Sequence, residues 1–276
     1  MEEKALRLSA VFLMILTAVS FVLLPKLPAL HTWEVEAREE RIAEEEFAQS
    51  QVTMQNLKIK EQNEAAGAKG ELSIRLPEGV TGDQIAVSSD YVTQTIRVEI
   101  PQADRTYFDS YPVLGNSDYI DGLSYTRQGE TGVIEVTTNR VYELQTEYDT
   151  QNFYFNFLTP HEVYDKVVVI DAGHGGRAVG ANKQGINEKD IDLAIVLKLK
   201  EIFDNSDQNI GVYYTRTDDS NPTFDQRVQL ANKSDADLFI SIHNNSTRSG
   251  RMSGTSGTQV MYDETSEASR QFAQIC

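Results

Sequence analysis

The chain has 276 residues, enough for one or two domains with sizeable cores, and its 40% hydrophobic and 24% charged content is ordinary globular usage, which excludes a wholly disordered or fibrous protein. Its 42 Asp and Glu against 25 Lys and Arg give a formal net charge of -17, which repels phosphate backbones and excludes nucleic acid as a natural partner. The single cysteine, Cys276, leaves no internal disulfide and no thiolate cluster, so any metal must be held by histidine and carboxylate.

The first element is an uncharged apolar run from Leu8 to Leu24, with Lys4 and Arg7 before it and Lys26 after it. That length is the short end of a membrane span, and no small-x-small cleavage site follows. Residues 1–30 therefore read as an uncleaved signal-anchor, a single transmembrane helix with a cytoplasmic N-terminus and the bulk of the chain outside; a cleaved secretory signal is the alternative. Trp33 sits where an interfacial aromatic would. Residues 31–69 read as an acidic helical stalk or linker, because Glu34 to Glu46 (EVEAREERIAEEE) is too acidic to lie against an anionic membrane. Val35, Ile42, Phe47, Val52 and Leu57 recur loosely, which leaves either a short coiled coil or a single exposed spacer helix. The stalk is expected to end near Ala65-Ala66-Gly67.

Over residues 70–162 the periodicity becomes two. Leu72, Ile74 and Leu76, then Ile96, Val98 and Ile100, then Phe153, Phe155 and Phe157 alternate as half-buried strands do. Turn signals at Pro77-Glu78-Gly79, Leu114-Gly115-Asn116, Asp121-Gly122 and Gln128-Gly129 punctuate them, predicting a small antiparallel sheet or sandwich. Its tyrosines read as core and cross-strand pairs rather than as a platform for sugar rings.

Residues 163–276 change texture to α/β. The β-branched run Lys166–Asp171 (KVVVID) suits a strand covered on both faces, and it ends at Asp171-Ala172-Gly173-His174-Gly175-Gly176. Glycines on both sides of His174 let the backbone turn sharply at a strand's C-terminal edge, where sites form in open α/β sheets. A helix follows from about Asn187 to Asn205, with Ile191, Ala194, Ile195, Leu199, Ile202 and Phe203 as its apolar stripe and Glu188 in its first turn. A strand at Val212–Thr215, a helix at Phe224–Ser234 and a strand at Asp237–Ile242 complete the pattern, the last ending at His243. Two histidines at neighbouring strand ends and a carboxylate at a helix N-terminus make a His₂Glu set with an open position, the pattern of a catalytic rather than a structural zinc site. Taken singly, a histidine is more often a polar loop residue than a ligand, and His31 and His161 are read that way; His174 and His243 differ because both directly follow buried strands.

These blocks resemble a family. VVVIDAGHGG, the glutamate of GINEKDIDLAIVLKLKEIF, YYTRTDD and FDQRVQLANKSDADLFISIHNN are similar, in order and spacing, to the zinc-dependent N-acetylmuramoyl-L-alanine amidases of the amidase_3 type. The resemblance covers about Val167 to Gln274. It implies Zn²⁺ held by His174, Glu188 and His243, with Arg216, Arg227, Asn232 and Asn245 in structural or supporting positions. It also implies a mixed, largely parallel sheet flanked by helices, peptidoglycan as substrate, and a cell-wall-facing location. The β-rich segment looks weakly like the AMIN-type modules that precede such amidases. In the family a further glutamate that moves the proton lies in a block beyond the equivalent of Cys276. The chain is therefore expected to be C-terminally truncated, its catalytic domain incomplete and its activity small. Glu264 and Glu267 fall at ordinary surface positions of the family. Two rivals accompany the amidase reading: an inactive wall-binding or regulatory protein with a vestigial zinc site, and a zinc peptidase acting on the stem peptide.

Overall fold

A computed structural model describes residues 27–51, 53–61, 69–244, 246, 254 and 257–276, and the predicted span Leu8–Leu24 lies outside them. Among the described residues no helix is long and apolar enough to cross a membrane. The first helix, α1 (Leu27–Ser50), forms where Glu, Ala and Arg supply strong helix propensity. It is not solvated all round, as a free stalk would be. Ala43 is buried, and Glu39, Ile42 and Glu46 beside it are half-buried, a stripe at helical spacing. The helix stops at Ser50. Two short strands, β1 (Gln55–Asn56) and β2 (Lys60–Glu61), follow in place of further helix, Leu57 packs into a β core instead of a helical seam, and the expected stalk end at Ala65-Ala66-Gly67 lies outside the described residues.

The β-rich segment continues with β3 (Leu72–Arg75), β4 (Ala86–Asp90), β5 (Thr95–Pro101), helix α2 (Arg105–Ser110), and β6 (Leu114–Gly115). Then come β7 (Ile120–Gln128), β8 (Thr131–Thr138), β9 (Glu143–Tyr148) and β10 (Asn152–Leu158). They form two five-stranded sheets, ordered β1-β7-β8-β5-β4 and β2-β6-β3-β10-β9. All pairings are antiparallel except β2 with β6. The period-two pattern explains the packing: Ile96, Val98 and Ile100 from one sheet share a core with Leu72, Ile74, Phe153, Phe155 and Phe157 from the other, making a sandwich. Tyr125 and Tyr142 are buried in it, and Tyr148 stacks on Phe153 directly across the strands.

Helix α3 (Pro160–Val163), opened by a Thr159/Glu162 capping box, leads into β11 (Lys166–Ala172). An antiparallel hairpin of β12 (Asn182–Lys183) and β13 (Ile186–Asn187) precedes α4 (Glu188–Asp204). Then follow β14 (Ile210–Tyr214), α5 (Phe224–Lys233) and β15 (Leu238–Ile242). Strand β11 lies between β14 and β15 and is parallel to both. Where a mixed sheet was expected, the described strands make a three-stranded parallel sheet with a separate hairpin. Both faces of β11 are covered: Val167 and Val169 pack with Leu230 of α5, while Ile170 and Ala172 pack with Val196 of α4. The stripe predicted for α4 is rotated. Ile191, Ala194, Ile195 and Ile202 are exposed, and the inward positions are Glu188, Asp192, Val196, Leu199 and Phe203. Polar residues occupy the inward face where the helix begins at the strand ends, so apolarity alone misplaces it. Residues 244–276 form a separate unit, in which α6 (Glu267–Ile275) begins at Ser266, whose hydroxyl accepts the Ser269 N–H at 3.2 Å.

Asp171 ties the ends of the parallel strands together. Its buried carboxylate accepts hydrogen bonds from Thr215 Oγ1 after β14 (2.6 Å) and from Ser241 Oγ of β15 (2.5 Å). It also pairs with Arg227 Nη1 of α5 at 2.5 Å. Burial alone would raise this carboxyl's pKa, but the guanidinium and the two hydroxyls hold it below the usual carboxylate range. A buried pair that loses one partner leaves an uncompensated charge. Arg227→Leu is therefore expected to destabilise the fold by about 3–5 kcal/mol, read from urea unfolding midpoints. A loss below about 1 kcal/mol would show that Asp171 does not need its partner.

Candidate metal centre

The site starts at the carboxyl end of β11. His174 has φ 58°, a left-handed conformation that costs a non-glycine residue about 1 kcal/mol or more and persists only where the surroundings hold it. Two buried arginines do so. Arg216 donates from Nε to the Ala172 carbonyl (3.0 Å) and from Nη2 to the Gly173 carbonyl (2.7 Å). Arg227 donates to the carbonyls of Ala172 (2.7 Å) and His174 (2.8 Å). Three consecutive carbonyls at the strand end are thereby fixed by charged donors, which are the stronger kind.

Three side chains converge beyond that turn. His174 Nε2 lies 3.2 Å from Glu188 Oε1, and His243 Nδ1 lies 3.1 Å from His174 Nε2 and 3.3 Å from Glu188 Oε1. Glu188 is the first residue of α4, and its Oε2 accepts the Ala181 N–H at 2.8 Å, which orients the carboxylate. Two ligand atoms bound to one tetrahedral zinc at about 2.0–2.1 Å are about 3.3 Å apart, so this triangle has the dimensions of a zinc ligand set. Buried Asp192 belongs to the same cluster, whose four ligand atoms all lie within 4.8 Å of one another. The backbone is shaped to leave the space. A Cβ at Gly173 would come 2.3 Å from His243 Cε1, and one at Gly180 would come 2.6 Å from His174 Cδ2 and 2.8 Å from Glu188 Oε2. The His174 side chain is 12% exposed and that of Glu188 9%, but that of His243 is 47% exposed, so the triangle opens to solvent on the His243 side.

The electrostatics suit a cation. Burial alone would lower the His174 pKa, but hydrogen bonds and charges from Glu188 and Glu39 outweigh it and raise it to about 9. Glu188 shows the reciprocal effect: burial opposes its charge, but the two imidazoles and the Ala181 N–H hold its carboxyl far below the ordinary value. In the absence of metal, a proton on His174 neutralises part of the cluster's negative charge.

His174, Glu188 and His243, the ligands implied by the resemblance, are thus brought together, and Arg216 and Arg227 support the loop beneath them. Asn232 is not brought to the site. It is exposed in the last turn of α5, where its carbonyl accepts the Asp235 N–H, at the far end of the helix from the Arg227 turn. Asn245 lies outside the described residues. His161, expected in a loop, lies in the short helix α3, where its Nε2 is 2.8 Å from the Asp235 carbonyl, away from the cluster. Three residues were missed, among them Glu39 of α1, whose Oε2 lies 3.1 Å from His174 Nδ1. Asp192 carried a readable signal, standing four positions after Glu188 on the same helix face. Lys189 is buried, with Nζ on the Gly176 carbonyl (2.9 Å) and on both oxygens of Asp219 (2.7 and 2.6 Å), and adjacency to Glu188 was its only mark.

Residues 168–276 match the Amidase_3 family, described as N-acetylmuramoyl-L-alanine amidase. The chain is 45% identical over 86 residues to an endolysin of Bacillus phage SPP1, covering 31% of each chain. It is 41% identical over 78 residues to the N-acetylmuramoyl-L-alanine amidase CwlM of Bacillus licheniformis, covering 28% of this chain and 31% of that one. Among solved structures, the catalytic domain of CwlV, an N-acetylmuramoyl-L-alanine amidase from Bacillus (Paenibacillus) polymyxa, is 41% identical over 30% of this chain and 47% of that one, with a TM-score of 0.29. The chain thus spans about a third of the length of these two curated relatives.

Because a metal must displace the proton that His174 holds up to a pKa of about 9, apparent zinc affinity is expected to rise with pH and level off near that value. One displaced proton corresponds to about tenfold tighter binding per pH unit. Chelator-competition titrations at several pH values between neutrality and that plateau check it, and a flat profile contradicts the assignment of His174 as a ligand.

Proposed function

We propose that residues 163–276 are the zinc-binding part of a peptidoglycan hydrolase that cleaves the amide between N-acetylmuramic acid and the L-alanine of the stem peptide. The observation that carries the proposal is the triangle of His174 Nε2, Glu188 Oε1 and His243 Nδ1 at 3.1–3.3 Å, inside a segment that matches an amidase family. Zinc bound there would supply Lewis acidity to polarise an amide carbonyl and ease deprotonation of an attacking water.

The protein's own residues have definable tasks in this reading. His174, Glu188 and His243 hold the ion, and the exposed side of His243 leaves an approach for the substrate. Arg216 and Arg227 hold the carbonyls of residues 172–174 with charged donors, which fixes the turn that carries the His174 imidazole. Glu188 is committed as a ligand and cannot also serve as the proton shuttle. The resemblance assigns that task to a glutamate in a downstream block, and proton transfer by such a group contributes about 10²–10⁴ in rate. The apolar run at Leu8–Leu24 supports delivery of these residues across a membrane to the wall, anchored or released. An AMIN-like identity for residues 70–162 rests on their position before the amidase-like segment.

The test uses purified peptidoglycan and two proteins: this chain, and a version extended by the downstream block in which the resemblance places the proton-moving glutamate. New L-alanine amino termini and free glycan are expected, slowly from the first and about 10²–10⁴-fold faster from the second. His243→Ala should abolish stoichiometric zinc and product in both, since a three-ligand site that loses one ligand no longer competes with water. Shortened stem peptides without free glycan would make the protein a peptidase. Sedimentation with the wall without any product from either protein would make it a wall-binding protein.

A further inference from the structure

The metal triangle uses one ring nitrogen of His174, and the other is taken by a residue 135 positions away in sequence. His174 Nδ1–H donates to Glu39 Oε2 of α1 at 3.1 Å, with the Glu39 side chain 19% exposed. The contact belongs to a docked face. Glu46 accepts from the Arg177 N–H and Nε (3.0 and 3.1 Å) and from Asn221 Nδ2 (3.0 Å), and Glu40 accepts the Phe224 N–H at the start of α5 (2.7 Å). Buried Ala43 sits between Glu39 and Glu46 on the same face. The helix therefore meets the loop that carries His174, and its carboxylates rather than apolar side chains make the contacts named here.

We infer that Glu39 is a positioning residue for the metal centre: its carboxylate fixes the tautomer and ring orientation of His174, presenting Nε2 to the ion, so that part of the metal affinity resides in the acidic helix. The physical reason is general. A ligand imidazole whose second N–H is held by a carboxylate is pre-oriented and more basic, and removing such a partner typically weakens metal binding 10–100-fold. Glu39 lies outside residues 168–276, the family-matched segment, so the assignment rests on this chain's own geometry. It also deepens the zinc reading above and depends on it.

The experiment measures zinc affinity of the full chain by chelator competition at about pH 9, where proton competition for His174 is small. The variants are E39A, E39Q, E44A and E46A, each also loaded with Co²⁺ for its visible ligand-field spectrum. E39A is expected to weaken zinc about 10–100-fold and to alter the cobalt spectrum. E39Q, which keeps an acceptor oxygen of the same reach, should recover part of the loss. E44A, on the exposed face, and E46A, which loosens the docking but spares the Glu39–His174 contact, should stay within about threefold of the parent. Parent-like affinity in E39A overturns the inference alone. An equal loss in E46A also overturns it, because the docked helix and not the Glu39 carboxylate would then be responsible. A parent protein that binds no zinc removes the metal reading and this inference together.

Discussion

The buried carboxylate of Asp171 is the constraint on which the rest of the α/β unit depends. A charge taken out of water is costly unless it is paired and fully hydrogen-bonded, and here the partners reach Asp171 of β11 from three directions along the chain: Thr215 follows β14, Ser241 lies on β15 and Arg227 on α5. Apolar packing on the two faces of β11 brings the layers together, but it is non-directional and tolerates sliding. The carboxylate does not. Satisfying it requires the strand ends to be in one register, and that register sets His174 and His243 side by side just beyond it.

The same arginine carries the constraint one step further. Arg227 donates from Nη1 to both Asp171 and the Ala172 carbonyl and from Nη2 to the His174 carbonyl, while Arg216 donates to the carbonyls of Ala172 and Gly173. The backbone of the ligand loop is thus fixed before any metal arrives, including the left-handed turn at His174. Gly173 and Gly180 then contribute by what they lack, since a Cβ at either would occupy the space of a ligand ring. Rigid support and a cleared cavity are what a metal site needs to be selective about ligand geometry.

How far this was legible in the sequence follows from the kind of signal each part emits. The β-branched run from Lys166 shows a doubly covered strand because both faces of β11 are apolar, and the strand-end glycines around His174 show a turn that only a few residues can make. The sandwich was legible through period two at Ile96–Ile100 and Phe153–Phe157. The burial face of α4 was not, because Glu188 and Asp192 point inward at the site end while Ile191, Ile195 and Ile202 remain exposed, the reverse of what hydrophobicity predicts. The docking of α1 was also hidden. Its contacts include Glu39, Glu40, Glu45 and Glu46, and in sequence a glutamate that meets a histidine, an arginine or a backbone N–H looks the same as one that meets water. Buried Ala43 and half-buried Ile42 are apolar marks of that face, and with Val35, Phe47 and Ala48 exposed elsewhere on the helix they form no distinctive pattern.

The metal assignment requires that His174, Glu188 and His243 bind one ion together. X-ray absorption at the zinc edge of the loaded protein reads this without reference to activity. The predicted spectrum contains only nitrogen and oxygen in the nearest shell, with the outer-shell scattering of two imidazole rings. A nearest shell containing sulfur, or outer-shell scattering from fewer than two imidazoles, contradicts it.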